Sequence, residues 1–119
     1  MLDNNHEVLS SATLEQRRRE MQDIGGIVWL IDLFLSELPN YEKELKDAIT
    51  TEDSNALYLA AHKFRGSCAN LGAIAMVELC KELETLGQKG DMKPATVIMA
   101  NSLDTEIQRL KQALEQERE

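Results

Sequence analysis

A chain of 119 residues, 43% of them hydrophobic, has room for one domain with a single core. Its formal charge of −8 excludes the basic face that nucleic-acid binding needs and disfavours an anionic membrane surface. No apolar run approaches the ~18 residues of a spanning helix, and the polar start Met1-Leu2-Asp3-Asn4-Asn5-His6 does not read as a signal peptide.

The pattern is helical throughout, with few aromatics and no sustained strand alternation. Residues 1–12 read as a loose tail and 13–119 as the folded domain. Thr13 followed by Gln16 has the form of a capping box. It opens a short helix to about Asp23, ended by Gly25-Gly26. Leu14, Met21 and Ile24 on this helix either pack on the bundle or join a docking surface. The next helix carries Ile27, Ile31, Phe34 and Leu38 on one face, and Pro39 should break or kink it. Tyr41, Leu45 and Ala48 continue an apolar face to about Thr50. Trp29 lies off the main stripe, and packing under the N-terminal helix is the expectation preferred over a sticky surface.

Asp53 or Ser54 can cap a third long helix that runs to Leu71, where Gly72 suits a left-handed closing position. Leu57, Ala61, Phe64, Cys68 and Leu71 form its apolar stripe. A fourth helix, about Ala73 to Gln88, carries Met76, Leu79, Leu83 and Leu86, and Gly87 and Gly90 punctuate its end. Pro94 in a first turn opens a last helix with Ala100, Leu103, Ile107, Leu110 and Leu114 as its stripe. Met21, Met76, Met92 and Met99 read as core filling or surface rather than metal ligands. Long amphipathic helices joined by short loops make an all-α, antiparallel four-helix bundle with an additional short N-terminal helix.

Chemistry concentrates in one stretch, Ala61-His62-Lys63-Phe64-Arg65-Gly66-Ser67-Cys68-Ala69-Asn70-Leu71-Gly72-Ala73. At about 100° per residue, His62 points roughly 140° from the apolar stripe, toward solvent. Arg65 and Gly66 share its face, and Ala69 extends it. The surface beside the ring is therefore nearly bare. A mid-helix glycine costs about 0.5–1 kcal/mol against alanine, so Gly66 reads as clearance around the imidazole. A neutral imidazole is a good nucleophile near neutral pH. Attack on an acyl phosphate would give a phosphoramidate, and catalysis of such a transfer is mostly positioning and charge neutralisation. Arg65 offers planar donors to phosphoryl oxygens, and Lys63 a looser point charge. Taken singly, each of these residues is an ordinary surface side chain; the joint arrangement carries the signal.

The same stretch resembles the signature of histidine-containing phosphotransfer (HPt) domains, roughly A-H-x-[LIF]-[KR]-G-S-[SAC]-x-x-L-G-A. The run Leu79-Cys80-Lys81-Glu82-Leu83-Glu84-Thr85-Leu86-Gly87-Gln88-Lys89-Gly90-Asp91 resembles the family's following helix, and Phe34-Leu35-Ser36-Glu37-Leu38-Pro39-Asn40-Tyr41 an earlier one. The likeness covers the chain from about Leu14 onward. It implies that His62 accepts a phosphoryl group from an aspartate of one response-regulator receiver domain and passes it to another. Arg65 stands where the family usually has lysine, which keeps the charge and changes the donor geometry. Glu84 stands where characterised members often carry glutamine. A carboxylate there could orient the ring by accepting from it, but would repel a phosphoryl group.

No Gly-rich phosphate loop or nucleotide motif is present, so a carrier without autokinase activity is expected. It would hold no cofactor or metal of its own, with Mg²⁺ residing in the partner receiver domain. The implied partners are receivers, with a hybrid sensor histidine kinase among them, and a monomer in a cytoplasmic setting is expected. The competing reading is a non-catalytic helical interaction module with His62 incidental; Gly66 tells against it, since a scaffold needs no clearance beside that ring. A di-metal bundle enzyme is weaker still, because neither His6 nor His62 has the Glu-x-x-His pairing such sites use. Cys68 and Cys80 lack metal-site spacing and read as reduced, partly buried thiols rather than a disulfide.

Overall fold

The structure, a computed structural model, describes residues 7–22 and 26–118. The elements are α1 (Ser11–Met21), α2 (Gly26–Thr50), α3 (Ser54–Asn70), α4 (Ile74–Lys89) and α5 (Met92–Ile98). A π-helical turn (Met99–Leu103) then leads directly into α6 (Asp104–Glu117). Because the backbone stays helical at Met99, Leu103 and Asp104, the last three form one continuous rod. Tight links reverse the chain between long helices, giving the expected antiparallel four-helix bundle with α1 as the added short helix.

One core runs through the bundle. It is built from Ile31, Leu38, Leu45 and Ile49 of α2, and Leu57, Phe64 and Cys68 of α3. Met76, Cys80 and Leu83 of α4 join it, with Leu103, Ile107, Leu110 and Leu114 of the last rod. Every residue of the α3 stripe is buried, so the opposite face of α3 is wet. Both thiols are fully buried rather than partly so. The Cys68 thiol is pushed well up, first by its hydrogen bond with Cys80 and then by burial, so it is no ready nucleophile. Met21 and Met76 are core residues, and Met92 and Met99 are half-buried against it.

Several boundaries differ from the sequence reading. The α1 cap is Ser10, whose Oγ accepts from the Thr13 amide at 3.2 Å, so the helix opens at Ser11. Val8 and Leu9 are half-buried against the core, and the Ser10 amide donates to the Gly72 carbonyl at 2.7 Å. This part of the expected tail is therefore packed; residues 1–6, with His6, lie outside the described residues, as do Asp23, Ile24 and Gly25. Leu14 and Met21 are buried, so α1 packs on the bundle.

Pro39 does not end its helix. It sits on the exposed side of α2, and the buried Phe34 and Leu38 before it and Leu45 and Ala48 after it hold one axis through the missing hydrogen bond. Trp29 is 57% exposed rather than packed under α1. It stands about 200° round the helix from Ile27, which points to the core. The last rod's stripe also shifts: Ala100 is exposed, while Ala95 is fully buried. The wide π turn adds a residue to the rotation and resets which side faces inward.

Glycines at two turns answer to backbone geometry. Gly72 closes α3 at φ +70° and Gly90 closes α4 at φ +72°, both left-handed positions.

Candidate functional site

His62 sits mid-way along α3, a helix capped by Asp53, whose side chain accepts from the Ala56 amide at 3.0 Å. Its side chain is 58% exposed, as its place on the helix requires. Its Nδ1 lies 3.1 Å from Glu84 Oε2 on α4. Tyr58, one turn earlier on α3, lies nearly parallel to the imidazole with centroids 6.0 Å apart.

Gly66 and Ala69 are both exposed, and a Cβ built on Gly66 would meet nothing within 4 Å. Gly66, four residues after His62, therefore faces open space.

The two cations diverge. Arg65 Nε donates to Glu84 Oε1 at 2.8 Å and its Nη2 donates to Glu84 Oε2 at 3.2 Å, a two-pronged grip on one carboxylate. The same Nη2 is 3.3 Å from His62 Nδ1. Lys63 turns the other way, to α2, where its Nζ donates to Glu44 at 2.9 Å and lies 5.9 Å from the Tyr41 ring centre. That hydrogen bond, outweighing slight burial, raises the lysine above its ordinary range. Arg65 therefore stays beside the imidazole, whereas Lys63 flanks it at greater reach.

Glu84 is only 14% exposed. Burial pulls its carboxyl upward, but the hydrogen bonds from Arg65 and His62, with their charge, outweigh this and hold it below the usual carboxylate range. The Arg65 guanidinium thus sets a positive charge directly against the Glu84 carboxylate.

Sequence reasoning misread Gly87 as an end signal. It is buried one turn after Glu84, and a Cβ there would fall 2.7 Å from the Tyr58 amide nitrogen and 2.8 Å from the Ser54 carbonyl oxygen. The missing side chain lets the α4 backbone rest on that of α3, which brings Glu84 within reach of His62. Tyr58, Glu44 and the 2.6 Å hydrogen bond between Tyr41 and Ser67 were also missed. Only Tyr58 left a trace, its one-turn spacing from His62.

Comparison with known proteins decides the family. The sequence model of the Hpt domain matches residues 30–118. The chain belongs to the Hpt domain family. It is 32% identical over 85 residues to the phosphorelay protein LuxU of Vibrio vulnificus strain YJ016, covering 70% of this chain and 74% of that one. The LuxU of strain CMCP6 matches to the same extent. The crystal structure of histidine-containing phosphotransfer protein B (HptB) from Pseudomonas aeruginosa PAO1 superposes with a TM-score of 0.86. That match has 26% identity and covers 95% of this chain and 96% of the other. The all-α Hpt fold and a role as a histidine-phosphotransfer intermediate of a phosphorelay follow. Hpt proteins are phosphoryl carriers that exchange the group with receiver domains. No helix among the described residues is long and apolar enough to cross a membrane.

Proposed function

We propose that His62 is the phosphoacceptor, loaded from a receiver aspartate and discharged to another. The observation that carries this reading is a ring more than half exposed whose Nδ1 is already engaged by Glu84, leaving Nε2 for a docked partner. In loading, the Nε2 lone pair attacks phosphorus, the bond from phosphorus to the aspartyl oxygen breaks, and the electron pair leaves on that carboxylate. Gly66 and Ala69 leave room for the receiver's acidic pocket to reach the ring. Arg65 offsets charge beside the phosphoryl group, and Lys63 contributes at longer range. Catalysis is thus positioning and charge neutralisation.

On this reading the chain is a carrier without autokinase activity, and the Mg²⁺ needed for transfer is held by the receiver. The proposed setting is a cytoplasmic monomer served by receivers, including that of a hybrid sensor kinase, with no nucleic acid. Leu33 and the exposed Trp29 offer apolar surface on α2. Beside them a groove of about 200 Å³ is lined by Leu30, Leu33, Phe34, Tyr41, Ser67 and Asn70. Such a surface suits docking, the part of the plain interaction-module reading that carrier function also needs.

Mixing the protein with a phosphorylated receiver should transfer label that is acid-labile and base-stable. The His62→Gln variant should take none while keeping its helicity. Label retained by that variant would reject the assignment.

A further inference from the structure

Side chains on an α-helix lean toward its N-terminus. His62 therefore leans over the turn that holds Tyr58 and away from the turn that holds Gly66. These two turns of α3 are unlike. On the C-terminal side nothing stands within 4 Å of where a Gly66 Cβ would be. On the N-terminal side stands the half-buried Tyr58. Its ring is 19° from parallel with the imidazole, with centroids 6.0 Å apart. Tyr58 is itself fixed from below. A Cβ on Gly87 would fall 2.7 Å from the Tyr58 amide nitrogen, so the α4 backbone rests directly on this residue. The aromatic ring thus projects from a backbone that has little freedom to move.

An imidazole changes charge when it takes a phosphoryl group. Nε2 of the neutral ring forms a bond to phosphorus, the phosphorus–oxygen bond to the donor aspartate breaks, and its electron pair leaves on that carboxylate. The ring is left as a phosphoimidazolium, a cation. The face of a tyrosine ring is negative and attracts a cation within about 6 Å of its centroid. Tyr58 already stands at that reach from the unloaded imidazole.

We propose that Tyr58 is a positioning residue for phosphoryl transfer: its ring backs the imidazole on the N-terminal side and favours the charged, phosphorylated form over the neutral one. The inference rests on His62 being the phosphoacceptor and adds an aromatic neighbour that sets how firmly the group is held. On unloading, a receiver carboxylate oxygen attacks phosphorus and the phosphorus–nitrogen bond breaks. Its electron pair returns to Nε2, the ring leaves neutral, and the attraction to Tyr58 is lost. Tyr58 therefore acts on the balance between loaded carrier and loaded receiver. The charged neighbours of His62 make contacts of another kind. Glu84 and Arg65 meet the ring edge at Nδ1, and Lys63 is turned to Glu44 of α2.

The test is the equilibrium constant for phosphoryl exchange. The full chain is mixed with a phosphorylated receiver, and label is read on both proteins once it stops moving. That constant is blind to how fast the two proteins meet. Tyr58→Leu keeps an apolar side chain of good helix propensity but removes the π face. It should shift the constant toward loaded receiver by about two- to fivefold, the range of a cation–π contact at an exposed site. Tyr58→Phe keeps the ring and should match wild type. Pentafluorophenylalanine in place of Tyr58 keeps the shape and reverses the charge of the face, so it should shift the constant at least as far as Tyr58→Leu. Circular dichroism checks the helices, and the fluorinated ring, which preserves bulk, judges the inference even where Tyr58→Leu loosens the bundle. A fluorinated protein with the wild-type constant, or Tyr58→Phe shifted as far as Tyr58→Leu, would overturn the inference alone. Wild type that takes no label at His62 would overturn the phosphoacceptor reading and this inference with it.

Discussion

Gly66 and Gly87 lie on facing helices of one site and are absent side chains for opposite reasons. Gly66 opens outward: nothing stands within 4 Å of where its Cβ would be. Gly87 opens inward: its Cβ would collide with the α3 backbone at Tyr58 and Ser54. On the proposed reading the first leaves room for another protein, while the second lets α4 close on α3 and deliver Glu84. The same residue type thus serves access in one place and assembly in the other, and only the neighbours distinguish them.

Substitution at the two positions should separate these roles. Gly66→Leu carries the largest expected effect on transfer. A misplacement of about 1 Å can cost ~10²-fold in rate, so a side chain beside the ring should slow receiver-to-His62 transfer by that order. Unfolding in urea should show stability unchanged or raised by about 0.5–1 kcal/mol, because a helical glycine has been replaced by a better helix former. Equal transfer rates would contradict the clearance argument. Gly87→Ala should do the reverse first. It should lower stability by about 1–3 kcal/mol through overpacking against backbone that cannot yield cheaply, and weaken transfer secondarily as Glu84 is displaced. A Gly87→Ala protein as stable as wild type would show that the two backbones do not need that closeness.

Arg65 sharpens the comparison on the assembly side. Arg65→Ala removes a cation beside the phosphoryl site and leaves Glu84 unneutralised, so transfer should slow by about tenfold, the rate equivalent of about 1.4 kcal/mol. Adding Glu84→Gln to it should change the rate by less than the product of the two single effects, because the residues form one network. Strict multiplicativity would mean they act separately. Lys63→Ala should have a smaller effect, since Lys63 is turned to Glu44.

The smallest effect is a pH dependence of stability. The folded Glu84 carboxyl is held below the usual carboxylate range by Arg65 and His62 against the pull of burial, so in the mildly acidic range the unfolded chain binds more protons than the folded one. Its contribution is present in full above the unfolded value and is lost as pH falls through the folded one. Wild type and Glu84→Gln should therefore differ in stability at neutral pH and converge on acidification. A gap that persists below about pH 3, under ordinary carboxylate values, would point to a role other than ionisation.

Most of the bundle was legible because burial follows the 3.6-residue period. The α3 stripe from Leu57 to Leu71 is buried as read, and that stripe alone places His62 in solvent. The same stripe sets Gly66 and Ala69 on the exposed side of α3. What escaped depends on contacts between helices. Gly87 looks like any helix-ending glycine until Tyr58 and Ser54 are seen beneath it. Arg65 reads as free to meet phosphate until α4 brings Glu84 to its fork. The π turn at Met99–Leu103 leaves no mark in an apolar pattern that fits an unbroken helix nearly as well. Pro39 carries a strong local signal that the buried residues flanking it override.

The central claim is one outward ring nitrogen whose sibling is pinned by a carboxylate. Phosphorus-31 and nitrogen-15 NMR of the protein loaded from a phosphorylated receiver tests it most directly. The account predicts a single phosphohistidine, at His62, bonded through Nε2 with a proton on Nδ1. Phosphorus on Nδ1, or on any residue other than His62, would contradict it.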